Sequence, residues 1–150
     1  MALKQRITDD LKAALLGGDR FVADVLRGLK AVILNEEVAK GLRDEGLNDT
    51  AIEQLIAKEV KKRGESATLY KQGGRPELAE TEEKESEVLK KYLPKQLTEE
   101  ELREIISKKV ADMGVSGTAA MGQVIGAVKQ EVGTSADGAT LAKIVKEILG

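Results

Sequence analysis

Four groups of residues have the types and spacing to do chemistry. Glu82 and Glu85 fall near the apolar side of one helical segment, where paired carboxylates could serve as acid and base. Glu80, Glu83 and Glu87 share a face and offer oxygen ligands to a hard cation. Lys71 and Arg75 flank the glycines of "KQGGRP", where an anion could meet the free amides of the next helix. The fourth group lies in "MGQVIGAVKQEVGTSADG", which places Gly122 and Gly126 four residues apart with Lys129 three further on.

Each group also has a structural explanation. No pocket motif accompanies Glu82 and Glu85, and Lys61, Lys62, Arg63 or Arg27 would turn them into ion pairs that fix helix register. Glu80, Glu83 and Glu87 read as a solvated face. "KQGGRP" lacks the lysine-serine or lysine-threonine ending of a phosphate loop and reads as a helix stop followed by a proline start. No catalytic residue, cofactor site or metal site is assigned.

The glycines are harder to dismiss, since each costs a helix interior about 0.5–1 kcal/mol relative to alanine. They serve either a close helix–helix contact or a shallow groove for a partner's backbone, with Lys129 at its rim. Gly133 ends that helix, and Asp137 with Gly138 begins the next. The Thr134-Ser135-Ala136 turn between them has exposed amides that attract phosphate. Lys143 and Lys146 follow in the last helix as further cations.

Composition limits what these groups can do. The 150 residues contain no cysteine, histidine or tryptophan, which removes disulfides, thiolate and imidazole chemistry and the usual zinc sites. Phe21, Tyr70 and Tyr92 are the only rings, too few for an aromatic platform under unpaired bases. The net charge of −2 argues against general nucleic-acid binding, DNA included, although Lys58 to Arg75 holds six basic and two acidic residues. The acidic "PELAETEEKESE" follows directly, so these segments are expected to face one another as neighbouring helices. No apolar run reaches the ~20 residues of a membrane span, and "MALKQRITDDL" reads as an amphipathic helix without a cleavable signal. A soluble, cytoplasmic protein is expected.

Apolar residues recur at helical spacing almost throughout, which predicts an all-α fold. Leu3, Ile7, Leu11 and Leu15 line a first helix. A second carries a wide apolar surface that includes Phe21, Val22, Leu26, Leu29, Ile33 and Val38. Asn48 is placed to cap a third, with Leu47 packing on Ile52; Pro76 opens a fourth, whose buried side is Leu78, Val88, Leu89 and Tyr92. After the linker "LPKQLTEEEL", Thr98 and Glu101 stand in capping-box register at the start of three shorter helices. The expected organisation is an N-terminal four-helix unit over residues 1–94, joined to a C-terminal three-helix unit over 95–150.

"GGRPELAE", "YLPKQLTEEEL", "MGQVIG" and "ADG", in this order and spacing across essentially the whole chain, resemble the stand-alone YqeY-like proteins of the GatB/YqeY family. The resemblance implies an all-helical, two-part protein. Its C-terminal part would be similar to the tail domain of the GatB subunit of tRNA-dependent amidotransferases, which helps hold tRNA while misacylated Glu-tRNA or Asp-tRNA is amidated. Gly122, Gly126, Gly133, Asp137 and Gly138 stand where that family has its glycine-bearing motif, and Arg27, Asn35, Glu37, Lys62, Arg63 and Arg75 fit its N-terminal pattern. Gln123 and Ser135 replace basic residues of the motif, and Leu34 replaces a lysine. The implied function is a non-catalytic adaptor that binds tRNA or a tRNA-processing protein. It would be associated with a glutamine-dependent carbon–nitrogen ligase without being one. The rival reading is a helical protein–protein interaction module without RNA contact.

Overall fold

The computed structural model describes residues 2–150. Its elements are α1 (Ala2–Leu16), α2 (Arg20–Ala39), α3 (Asp49–Gln72), α4 (Pro76–Lys90), α5 (Glu99–Met113), α6 (Met121–Val132) and α7 (Gly138–Leu149), with short 3-10 turns before and after α6. The described residues are all-α, without a strand. They form two compact units, one ending at Leu93 and the other spanning Pro94–Gly150.

The first unit closes around aliphatic side chains from α1 to α4: Leu3 and Ile7, Leu26, Leu29 and Ile33, Ile52 and Ile56, and Leu89. Local signals set the helix starts. Asp19 caps α2 and Asn48 caps α3, the latter accepting from the Ala51 amide at 2.8 Å, while Leu47 packs into the same core as Ile52. Tyr92 anchors the end of α4 to α1, donating from its hydroxyl to Asp10 Oδ2 at 2.6 Å beneath the Arg6 guanidinium. Burial and the Asp10 carboxylate both push its phenol far above the ordinary range.

This core uses only the first half of α3 and the last turns of α4. Towards the Gly73-Gly74 turn the two helices pack on each other through Ala67 and Ala79, the buried residues of that stretch. Leu78, expected inside, is 40% exposed, because two thin helices meeting through alanines leave no third wall for a leucine. Their opposite charges do pair, Arg63 Nε with Glu85 Oε2 at 3.2 Å and Lys71 Nζ with Glu83 Oε1 at 2.6 Å. The wide apolar surface expected on α2 is likewise only partly used: Leu26, Leu29 and Ile33 are buried, whereas Phe21 and Val38 remain exposed. In α1, Ala14 is buried while Leu15 is exposed.

The second unit encloses Leu102 and Ile106 of α5, Val124 and Val128 of α6, and Leu141, Ile144 and Val145 of α7. A capping box opens α5: Thr98 Oγ1 accepts from the Glu101 amide at 3.1 Å, and Glu101 Oε1 accepts from the Thr98 amide at 3.2 Å. These bonds hold the Glu101 carboxyl below the usual range. A core contributed by all three helices should sustain the unit alone. Expressed as residues 95–150, it is expected to keep a helical circular dichroism spectrum, and a coil spectrum would show that it depends on the rest of the chain. Its melting transition should be shallow and low, because so few residues bury little apolar area.

Candidate functional site

The buried side of α6 is set by Val124 and Val128, which are fully buried, with Met121, Ile125 and Val132 packed beside them. At about 100° per residue, Gly122, Gly126 and Lys129 cluster together beside that stripe, at the edge of the core, and all three are exposed. A Cβ built at Gly122 or Gly126 meets no neighbour within 4 Å. Among the described residues, then, no close helix–helix contact uses these glycines. What they create is a stretch of open helical backbone with a lysine at its edge.

Gly133, Asp137 and Gly138 have local backbone roles. Gly133 adopts φ 54°, ψ −128°, a region strongly unfavourable to any side chain, and this turns the chain out of α6. Asp137 is the N-cap of α7, accepting from the Thr140 amide at 3.2 Å and from the Thr140 hydroxyl at 3.1 Å, with Gly138 as the first helical residue. Its carboxylate thus stands where an anion would meet the helix start, which opposes the phosphate site expected at this turn. The turn instead holds the incoming chain. Gln96 Nε2 donates to the Thr134 carbonyl at 2.9 Å, and the Leu97 amide donates to the Ser135 carbonyl at 2.8 Å.

Charge on α6 and α7 is unevenly compensated. Glu131 pairs with Lys109 at 3.1 Å and Glu147 with Arg103 at 2.8 Å, both cations belonging to α5. The Arg103 guanidinium holds the Glu147 carboxyl below the ordinary range. Lys143 and Lys146 share the exposed face of α7, and among the described residues neither they nor Lys129 makes an ion pair.

In the first unit the expected groups are occupied by one another. Lys71 is paired with Glu83, and Glu77 stands in the first turn of α4, so the Lys71 and Arg75 position does not favour an anion. Glu80 pairs with Lys84 and Glu87 with Lys90, which leaves the Glu80, Glu83 and Glu87 row as a salt-bridged surface. Arg63 bridges Glu59 and Glu85, the inter-helix pair expected for Glu85, whereas Glu82 makes no ion pair among the described residues and Arg27 turns to Asp24 instead.

Sequence reasoning gave no role to the most deeply buried charge. Glu37, 1% exposed, accepts two hydrogen bonds from Lys4 Nζ at 3.0 and 2.8 Å and one from the Leu47 amide at 2.9 Å. It thereby joins α1, α2 and the loop before α3, and Lys4 holds its carboxyl below the usual range despite burial. A signal was present: Glu37 follows Ile33 by four residues, at the point where the Leu26, Leu29, Ile33 stripe calls for another apolar side chain.

Comparison with known proteins adds the relationship. A family model described as Yqey-like protein matches residues 4–149. Among curated proteins, the chain is similar to "Altered inheritance of mitochondria protein 41, mitochondrial" of Clavispora lusitaniae, at 34% identity over 92 residues, 61% of this chain and 52% of the relative. The protein of that name from Lachancea thermotolerans is 33% identical over 84 residues, 56% of this chain and 44% of the relative. The one from Pyrenophora tritici-repentis is 26% identical over 149 residues, 97% of this chain and 80% of the relative. The chain thus spans about half the length of the first two relatives. All three are named as mitochondrial, which overturns the cytoplasmic location expected from the sequence. Composition and an amphipathic amino terminus do not distinguish the two compartments. Among the described residues, no helix is long and apolar enough to cross a membrane.

Proposed function

The chain belongs to the YqeY-like family, and on that premise we propose that it is a non-catalytic adaptor that holds tRNA against the outward faces of α6 and α7. The observation that carries this reading is the uneven pairing of charge. Glu131 and Glu147 are bound by cations of α5 and Asp137 by the start of α7, so Lys129, Lys143 and Lys146 are left without an ion pair among the described residues, in a chain of net charge −2. Phosphate is the ligand chemistry that matches them. The open glycine backbone beside Lys129 lets a bulky ligand approach without meeting side chains.

The resemblance of this unit to an amidotransferase tail supports the choice of tRNA. The curated relatives' name speaks of altered inheritance of mitochondria and of no ligand, so it neither adds to nor detracts from that choice. A non-catalytic role agrees with a chain that has no histidine or cysteine and whose Glu85 is committed to Arg63.

Titration of fluorescent bulk tRNA with the full chain tests the reading. The logarithm of affinity is expected to fall linearly with the logarithm of salt, with a slope of about −0.7 to −0.9 for each phosphate engaged, so roughly −2 to −3 for three lysines. Lys129→Ala, Lys143→Ala and Lys146→Ala should each weaken binding and flatten the slope by about one. No binding at 50 mM salt would remove RNA from the reading and leave this face to a protein partner.

A further inference from the structure

The first unit has a cleft of about 260 Å³ between α1 and α2, with Ile7 and Ile33 at its floor and Lys4, Lys30, Ala31 and Leu34 around it. Its volume lies below the ~300–1,000 Å³ of small-molecule sites, which suits one or two side chains better than a cofactor. The cleft continues onto an apolar stripe on α2. Ala31, Leu34 and Val38 follow at helical spacing, and Leu34 and Val38 are 46% and 56% exposed. Large aliphatic side chains left open beside an apolar cleft are the usual mark of a surface that another chain covers.

Charge selects the kind of chain. The Lys4 ammonium is taken by the buried Glu37, so that pair is internally neutral. Lys30, half-buried at the rim, has no carboxylate within ion-pair distance among the described residues. One turn before it on α2, Arg27 adds a second cation, only loosely held by Asp24 at 3.6 Å. A partner must then bring aliphatic anchors and a carboxylate together. Anchors that match a stripe with i, i+3, i+7 spacing are presented by a helix laid along the groove.

We propose that the α1–α2 cleft is a docking groove for an acidic amphipathic helix of a partner protein, with a leucine-type side chain in the cleft and a carboxylate on Lys30. The groove belongs to the first unit and stands independently of the RNA reading of α6 and α7.

The test uses the full chain and three labelled synthetic helical peptides with blocked termini: one with leucines at i, i+3 and i+7 and glutamates between them, its lysine-for-glutamate counterpart, and an acidic version with the leucine spacing scrambled. The acidic amphipathic peptide is expected to bind at least tenfold more tightly than either of the others. Leu34→Glu should cost at least tenfold in that affinity with an unchanged melting temperature, because the replaced side chain is half in solvent. Lys30→Glu should reverse the preference towards the lysine peptide, which misfolding cannot produce. Three results would overturn the proposal: equal binding of all three peptides, no binding of the acidic one at 1 mM, or indifference to Leu34→Glu. Concentration-dependent dimerisation of the chain alone, abolished by Leu34→Glu, would also overturn it by assigning the groove to a second copy.

Discussion

Replacing Glu37 by alanine is expected to destabilise the first unit by about 2–4 kcal/mol, a fall of roughly 10–25 °C in its melting transition. Glu37 is the shared acceptor of Lys4 and of the Leu47 amide, so alanine removes three hydrogen bonds at once and leaves that amide buried without a partner. The loss stays below the upper range for broken buried ion pairs because the Lys4 side chain is 36% exposed and can turn its ammonium to water. Glu37→Gln, which can still accept from the Leu47 amide, should cost about 1 kcal/mol, the ordinary worth of a hydrogen bond. Differential scanning calorimetry on the full chain measures both. A loss under 1 kcal/mol for Glu37→Ala would mean that the pair contributes little beyond geometry.

The pH dependence of the same group gives a sign that packing alone cannot imitate. Lys4 holds the Glu37 carboxyl below its unfolded value, so its contribution is fully present above that value, near 4.5, and is lost as pH falls through the folded pKa. In Lys4→Met the carboxylate keeps its burial and loses its counter-charge, so its pKa should move above the unfolded value. The variant then recovers stability relative to the wild type as pH falls from 7 towards 4. A gap between the two proteins that stays constant over this range would show that Lys4 acts through its aliphatic stem instead.

The features legible in the sequence were those whose cause is local. Asn48 with Leu47, Thr98 with Glu101, and Pro76 at the start of α4 act within one helical turn, and each helix begins where they place it. What the sequence concealed depends on which helix lies opposite. Ala67 and Ala79 are buried and Leu78 is not, because the joint end of α3 and α4 is only two helices thick. A count of large apolar residues ranks them the other way round. On α2 the same count saw one broad apolar surface, whereas the fold buries a stripe that also includes Glu37 and leaves Phe21 and Val38 exposed, with Leu34 open beside Val38. The cleft between α1 and α2 has no signal in either segment alone, since it exists only where their side chains fail to meet. On α6, periodicity placed Gly122 and Gly126 beside the core stripe and left contact and groove open as explanations; only the surroundings of the two positions decide against the contact.

That decision makes Gly126→Gln the most discriminating substitution in the second unit. A Cβ at this position has open space around it, so the usual penalty for adding side-chain atoms at a packed glycine does not arise. Replacing a mid-helix glycine by a good helix former gains about 0.5–1 kcal/mol, which should raise the melting transition of this small unit by roughly 2–6 °C. If tRNA lies along the open backbone beside Lys129, the same side chain projects into the contact, and binding should fall by at least tenfold while stability rises. Gly133→Ala supplies the opposite control. Its φ of 54° and ψ of −128° make any side chain strained by about 1–3 kcal/mol, so it should lower the melting transition and weaken binding only as far as the unit unfolds. A stabilised Gly126→Gln protein that binds tRNA as well as the wild type would place the RNA elsewhere, because the substitution disturbs nothing but the surface on which the contact is proposed.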